Sequence, residues 1–187
     1  ASCLQSPNSA LEVLDVSSTN IADEGAIALG RGLANNKALK DLRCYDICAH
    51  GTPLITAAGW RSVFACLRNE ESALERLDLR YSSIDEGGLS ALTVALSRNS
   101  SLSMLDLSNN KQISAAGWRP FFACLENPRA ALEEVRLCDN VVTNEDVAHL
   151  ARSLRANNGR LKTVDLGDCP SVTDAGWDAL SEGLCDA

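Results

Sequence analysis

Residues 102–118 read LSMLDLSNNKQISAAGW. Leu105 and Leu107 stand two apart, the spacing of a β-strand whose alternate side chains face opposite ways. A polar stretch of Ser and Asn follows, then Ile113, and after Gly117 the apolar spacing becomes that of a helix. Working outward, the phrase L-x-x-L-x-L recurs six times, with Val or Cys replacing Leu in places. It starts at Leu11, Leu39, Leu74, Leu102, Leu132 and Leu161, at separations of 28, 35, 28, 30 and 29 residues. A second echo spans two repeats: AAGWRSVFACL at 57–67 returns as AAGWRPFFACL at 115–125.

The second half of each repeat is helical. Counted from Gly25, Gly59, Gly88, Gly117, Asp146 and Gly176, apolar residues fall one, four and eight places later. Those offsets form one stripe on a helix, and the last of them is Leu every time. Thr56, Ser114, Thr143 and Thr173 sit ahead of the stripe, where a side-chain oxygen can cap free N–H groups. Pro120 is tolerated only in a first turn, so the spacing predicts a fourth helix that begins near Gly117 or kinks. Trp60, Trp118 and Trp177 hold one position in repeats two, four and six, whereas odd repeats place Ala, Leu or Val there. Large against small fills space without voids, so the row reads as packing.

Repetition of one strand–turn–helix unit, each unable to bury its apolar face alone, predicts a stacked array with one continuous core. The pattern, clearest at 102–118, resembles the ribonuclease-inhibitor type of leucine-rich repeat over essentially the whole chain. The resemblance implies an α/β leucine-rich-repeat horseshoe of six repeats, residues 1–187 forming a single domain, with parallel strands on the concave face and helices on the convex face. It is specific for fold and not for function, since one scaffold carries many roles. The family often places Asn or Cys at the ninth position, as a ladder bonding the backbone. Here that position holds Thr19, Ile47, Ser82, Asn110, Asn140 and Cys169. Ile47 cannot bond, so the second repeat's turn is expected to differ, and an insertion follows it at 48–53.

CLQSPNSAL at 3–11 aligns with CLENPRAAL at 124–132, so residues 1–10 resemble the end of a preceding repeat. The reading is a fragment of a longer array, or else an array that tolerates bare ends or covers them in a homodimer.

Composition narrows the partner. The net charge is −8 over 187 residues, with a pI near 4.7. That argues against nucleic acid and anionic membranes as partners and favours a basic protein. No apolar run of about 18 residues is present. Eight cysteines invite disulfides. Yet Cys66 and Cys124 hold equivalent helical places two repeats apart, roughly 20 Å by helix packing distances, beyond the reach of about 7 Å. Reduced thiols in an intracellular, cytoplasmic protein are expected.

No catalytic constellation is legible, and neither a cofactor nor a metal is expected. His149 reads as a surface residue. His50, in the insertion with Cys48, reads as an ordinary loop residue rather than a nucleophile or ligand. Asn99-Ser100-Ser101 matches a glycosylation sequon of the kind chance supplies.

The concave strand positions carry twelve acids and six bases. In the fifth-position row, Asp15, Arg43, Asp78, Asp106, Arg136 and Asp165, each Arg is expected to lie between two Asp and to pair across strands. Tyr45, Arg80 and Tyr81, with Arg76 and Met104 beside them, form the candidate hot spot, being residue types enriched where proteins bind. Asp46, Asp78, Asp106, Arg136 and Asp139, together with Arg43, complete the candidate partner-binding set. The expected role is a protein–protein interaction module that is not an enzyme. One alternative, a regulator of an enzyme such as a small GTPase, would act through Arg43 or the insertion. The other is a structural spacer in a longer receptor-like protein.

Overall fold

A computed structural model describes residues 4, 9–47, 55–127, 130–156 and 160–185, except for the side chain of Cys185. Cys3, Cys48, His50 and the 48–53 insertion lie outside the described residues.

Six strands of three residues pair in chain order into one parallel sheet. They are β1 (Val13–Asp15), β2 (Asp41–Arg43), β3 (Arg76–Asp78), β4 (Met104–Asp106), β5 (Glu134–Arg136) and β6 (Thr163–Asp165). Helices α1 (Asp23–Leu33), α2 (Ala57–Val63), α3 (Glu86–Leu96), α4 (Ala115–Leu125), α5 (Asn144–Ala156) and α6 (Asp174–Cys185) alternate with them and pack on their sequence neighbours. The result is the α/β horseshoe that the repeats imply. The middle strand residue forms an in-register row, Leu14–Leu42–Leu77–Leu105–Val135–Val164. The four inner members are at most 1% exposed, while Leu14 and Val164, on the outermost strands, are only partly buried. Burial in this array comes from having a neighbour on each side.

The turn after each strand is held by the ninth-position ladder. Asn110 donates through Nδ2 to the carbonyls of Leu79 (3.0 Å) and Leu107 (2.8 Å), and its Oδ1 accepts from the N–H groups of Ser82 and Ile84. Asn140 repeats the pattern one step on, donating to Leu107 and Leu137 and accepting from Asn110 N–H. Ser82 donates to Cys44 O at 2.6 Å, and the Cys169 thiol to Leu137 O at 3.4 Å.

The expected difference at Ile47 is corrected up to that residue. The preceding residue is left-handed in all six repeats, with φ of 52–56° at Ser18, Asp46, Tyr81, Asn109, Asp139 and Asp168. Asp46 N–H also donates to Arg80 O, as its equivalents do to the next strand's turn. Ile47 is 3% exposed and joins the core instead of the ladder. Backbone geometry therefore sets this turn, and burial substitutes for the side-chain bond.

Helix entry follows the caps only in part. Thr56 Oγ1 accepts from Ala58 N–H, and Thr143 Oγ1 accepts from Asp146 N–H. Thr173 Oγ1 instead accepts from Asn144, and Ser114 donates to Glu86. Asp85, not among the expected caps, holds Gly88 N–H at the start of α3. The expectation at Pro120 is corrected in its first form. α4 begins at Ala115, two residues before Gly117, and carries Pro120 inside it. The other copy of the phrase, which lacks the proline, changes at Phe64 to a 3₁₀ helix, Phe64–Arg68.

The tryptophan row fills space at two of its three sites. Trp60 and Trp118 are at most 1% exposed, and Trp60 lies against Gly88, where an added Cβ would come within 3.0 Å of its ring. Trp60 stacks on Phe64, and Trp118 on Phe122. Both indole N–H groups lack an acceptor among the described residues, so these rings sit there for volume and not for bonding. Trp177 is 47% exposed and Leu184 is 55% exposed. No helix follows α6 among the described residues. Close approach is clearest at Gly30 in α1, where a Cβ would meet the Ser62 carbonyl of α2 at 2.2 Å.

Candidate functional site

The strand residues flanking the central apolar row point away from the core and form the concave floor. In its middle is a hollow of about 210 Å³ lined by Asp41, Arg43, Tyr45, Arg76, Asp78, Arg80, Met104 and Arg136. Of the candidate residues, Arg43, Tyr45, Arg76, Asp78, Arg80, Met104 and Arg136 are thus brought together. Asp106 is 3% exposed and sits beneath, 3.8 Å from Arg136 Nη1. Asp46, Tyr81 and Asp139 stand outside the lining, at the left-handed positions of their turns. Asp46 accepts from Ser18 Oγ, and Asp139 pairs with Lys111 at 2.7 Å and accepts from Asn109. Tyr81 is 51% exposed.

Within the candidate set, Arg80 and Tyr45 are in direct contact. The Arg80 guanidinium lies 4.7 Å from the Tyr45 ring centroid, a cation–π contact across neighbouring repeats. Arg80 Nη2 is also 3.2 Å from Asp78 Oδ2. These contacts fix a flexible cation and an aromatic ring together.

The ion pairs differ from the expected cross-strand pairing. Asp15, Arg43, Asp78, Asp106, Arg136 and Asp165 do lie in register. Arg43 nevertheless turns along its own strand, with Nε at 3.2 Å and Nη2 at 2.8 Å from Asp41 Oδ2. Arg136 likewise takes Glu134 on its own strand at 2.6 Å, reaching sideways only to Asp106. Residues two apart on a strand share a face, and a long guanidinium spans that distance. Asp41 is therefore the residue the candidate set missed. It holds Arg43 and lies 3.9 Å from Arg76 Nε on the next strand. Its signal was present in the i, i+2 spacing Asp41–Arg43, which recurs as Glu134–Arg136.

Protonation follows from these contacts. The hydrogen bond and charge of Asp41 hold the Arg43 guanidinium above its ordinary value. Burial is the largest single influence on Arg136 and opposes its charge, but the bond and charge of Glu134 together with the charges of Asp106 and Asp165 outweigh it, and the net shift is upward. Asp78 is raised, chiefly by burial, with the neighbouring Asp106 adding to it and Arg80 opposing. At the far end, burial pushes the Cys138 thiol up to about 11, while its hydrogen bond to Asp165 lowers that carboxyl.

Cys44, Cys66, Cys124, Cys138 and Cys169 are free thiols. Cys44 is 1% exposed, as its inward strand position predicts, and burial raises its pKa strongly. His149 is partly exposed on α5, and its Nε2 accepts from Arg119 Nε at 3.0 Å. No group of three or more His, Cys, Asp or Glu side chains is placed to hold a metal among the described residues. No helix among them is long and apolar enough to cross a membrane.

Comparison with known proteins agrees with the architecture. The family described as Leucine Rich repeat matches residues 8–30. Mouse NACHT, LRR and PYD domains-containing protein 14 is 31% identical over 97% of this chain and 17% of its own length. Pig ribonuclease inhibitor is 28% identical over 97% of this chain and 38% of its own length. The chain thus spans about a sixth of the first of these relatives and well under half of the second. Among solved structures, a chain of the yeast Rad7 and Elc1 complex superposes with a TM-score of 0.60 at 21% identity, covering 92% of this chain and 40% of that one. Six in-register repeats, the ninth-position ladder and these relatives together make the chain a leucine-rich-repeat protein of the ribonuclease-inhibitor type.

Proposed function

We propose that this chain is a protein–protein interaction module that binds its partner on the concave face, with Tyr45 and Arg80 as the energetic centre. The observation that carries the reading is the Arg80–Tyr45 stack at the edge of a hollow whose lining is mostly charged. Tyr and Arg held in a fixed arrangement offer contact area and hydrogen bonds at low ordering cost, as in interface hot spots. The relatives support a binding role, one of them being named for inhibiting another protein. The net charge of −8 supports a partner that is basic overall, steered by the acids of the flanking repeats. The role is binding and not catalysis.

The test is capture of proteins from native lysate with wild-type chain, a Tyr45→Ala/Arg80→Ala variant and a Glu12→Ala variant as baits, read by mass spectrometry. Glu12 lies on the outermost strand's approach and pairs with Lys40 at an exposed site. A protein retained by wild type and Glu12→Ala, and reduced at least tenfold by the double variant, is the expected result. Equal capture by all three baits would refute the localised hot spot.

A further inference from the structure

What the partner presents to the hollow can be read from which half of each ion pair faces outward. This step rests on the concave face being the binding face. Asp41 is 12% exposed in its side chain, while Arg43 above it is 44% exposed. Asp78 is 14% exposed against 43% for Arg80, and Asp106 is 4% against 40% for Arg136. Arg76 is 54% exposed, and its ionic contact among the described residues is the long one to Asp41. The carboxylates lie at the bottom and the guanidiniums cover them. A bidentate contact such as Arg43 with Asp41 occupies one edge of the guanidinium fork and leaves further N–H donors beyond it.

Charge counting along the strands gives the opposite impression, because it ignores depth. Across the concave positions of repeats two and three, acids and bases are equal in number, and the acidic excess belongs to repeats one, four, five and six. A group entering the centre therefore meets hydrogen-bond donors, within an acidic surround.

We infer that the hollow receives a carboxylate side chain of the protein partner, a glutamate in preference to a phosphate. Four guanidiniums line the hollow, and the carboxylates that balance them, Asp41, Asp78, Asp106 and Glu134, are each the less exposed member of their pair, so a ligand meets donors before it meets acceptors. Because those charges already balance, a second negative charge would go uncompensated, which favours a monoanion over a dianion. Tyr45 and Met104 supply an apolar wall for the methylenes of a glutamate. The docking residue is then an acid framed by the basic surface that the flanking repeats attract.

The test needs no partner. Arginine Nε–H resonances of the ¹⁵N-labelled chain are followed by NMR during titration with N-acetyl-glutamate amide, N-acetyl-glutamine amide and inorganic phosphate. Saturable shifts at Arg43, Arg76, Arg80 and Arg136 with the glutamate compound, and not with the glutamine one, are expected. Arg76→Gln, at an exposed site whose folding is checked by its melting temperature, should weaken binding about threefold or more. Asp41→Asn removes the competing carboxylate and should tighten binding by about threefold to tenfold. Shifts that are linear in concentration, or equal at the exposed convex residues Arg61 and Arg98, would overturn the inference. So would saturation by phosphate alone, or weaker binding in a folded Asp41→Asn. If the titration succeeds while lysate capture is indifferent to Tyr45 and Arg80, the hot-spot reading fails and the hollow's chemistry stands. The reverse pattern sinks the carboxylate and leaves the binding face.

Discussion

Replacing Asn110 with Ala should be among the most damaging single changes in the chain. The side chain is fully buried and makes four bonds of ordinary length, two as donor and two as acceptor. Alanine removes all of them and leaves the N–H groups of Ser82 and Ile84 and the carbonyl of Leu79 without this partner. The Leu107 carbonyl keeps its bond from Asn140. Three stranded buried groups at about 1–1.5 kcal/mol each give about 3–5 kcal/mol. For a chain of this size that corresponds to a fall in melting temperature of about 6–20 °C. Ser82→Ala is the internal reference, because it loses one principal bond, to Cys44 O, and should cost only about 1 kcal/mol. Equilibrium urea unfolding, followed by far-ultraviolet circular dichroism and by tryptophan fluorescence, measures both. Two probes are needed because a repeat array can unfold in parts. An Asn110→Ala loss no larger than that of Ser82→Ala would refute the view that the ladder holds the turns.

Two further outcomes follow from burial and charge. Trp60→Ala should cost about 3–5 kcal/mol, the usual range for emptying a buried aromatic site. Trp177→Ala, at a half-exposed site, should cost less than half as much in the same urea assay, and equal losses would contradict the packing reported at α6. Asp78 has a folded pKa above its ordinary value, so ionising it costs the fold something that is absent at low pH and grows as pH rises through that pKa. Asp15 and Asp165 run the other way: their lowered values give stability present above the ordinary carboxylate range and lost as pH falls through the folded pKa. The urea midpoint of Asp78→Asn minus that of wild type should therefore increase between about pH 3 and pH 6. A difference that is flat or falling over that window would show that burial is not what governs Asp78.

The fold was legible because a repeat states its own geometry several times. The i, i+2 pair Leu105 and Leu107 set a strand, the offsets one, four and eight from Gly117 set a helix, and six copies made chance agreement negligible. Inward and outward strand faces followed from the same alternation, so Leu77, Leu79 and Cys44 are buried as their places require. The cluster Tyr45, Arg76, Arg80 and Met104 was also legible, since in-register strands bring equal repeat positions side by side.

Tertiary structure decided what periodicity leaves free. A strand position fixes which face a side chain takes but not which neighbour a long side chain reaches. So Arg43 found Asp41 on its own strand rather than Asp15 or Asp78 beside it. Sequence counts charges without depth, and only packing could place the carboxylates below the guanidiniums and turn the centre of an acidic face into a field of donors. Equivalent residues also met different surroundings: among the described residues Trp118 has a helix on either side and is buried, while Trp177 has one and is 47% exposed. The sequence determined the unit and its stacking by local spacing. The array determined burial and pairing, because both depend on neighbours that are distant along the chain.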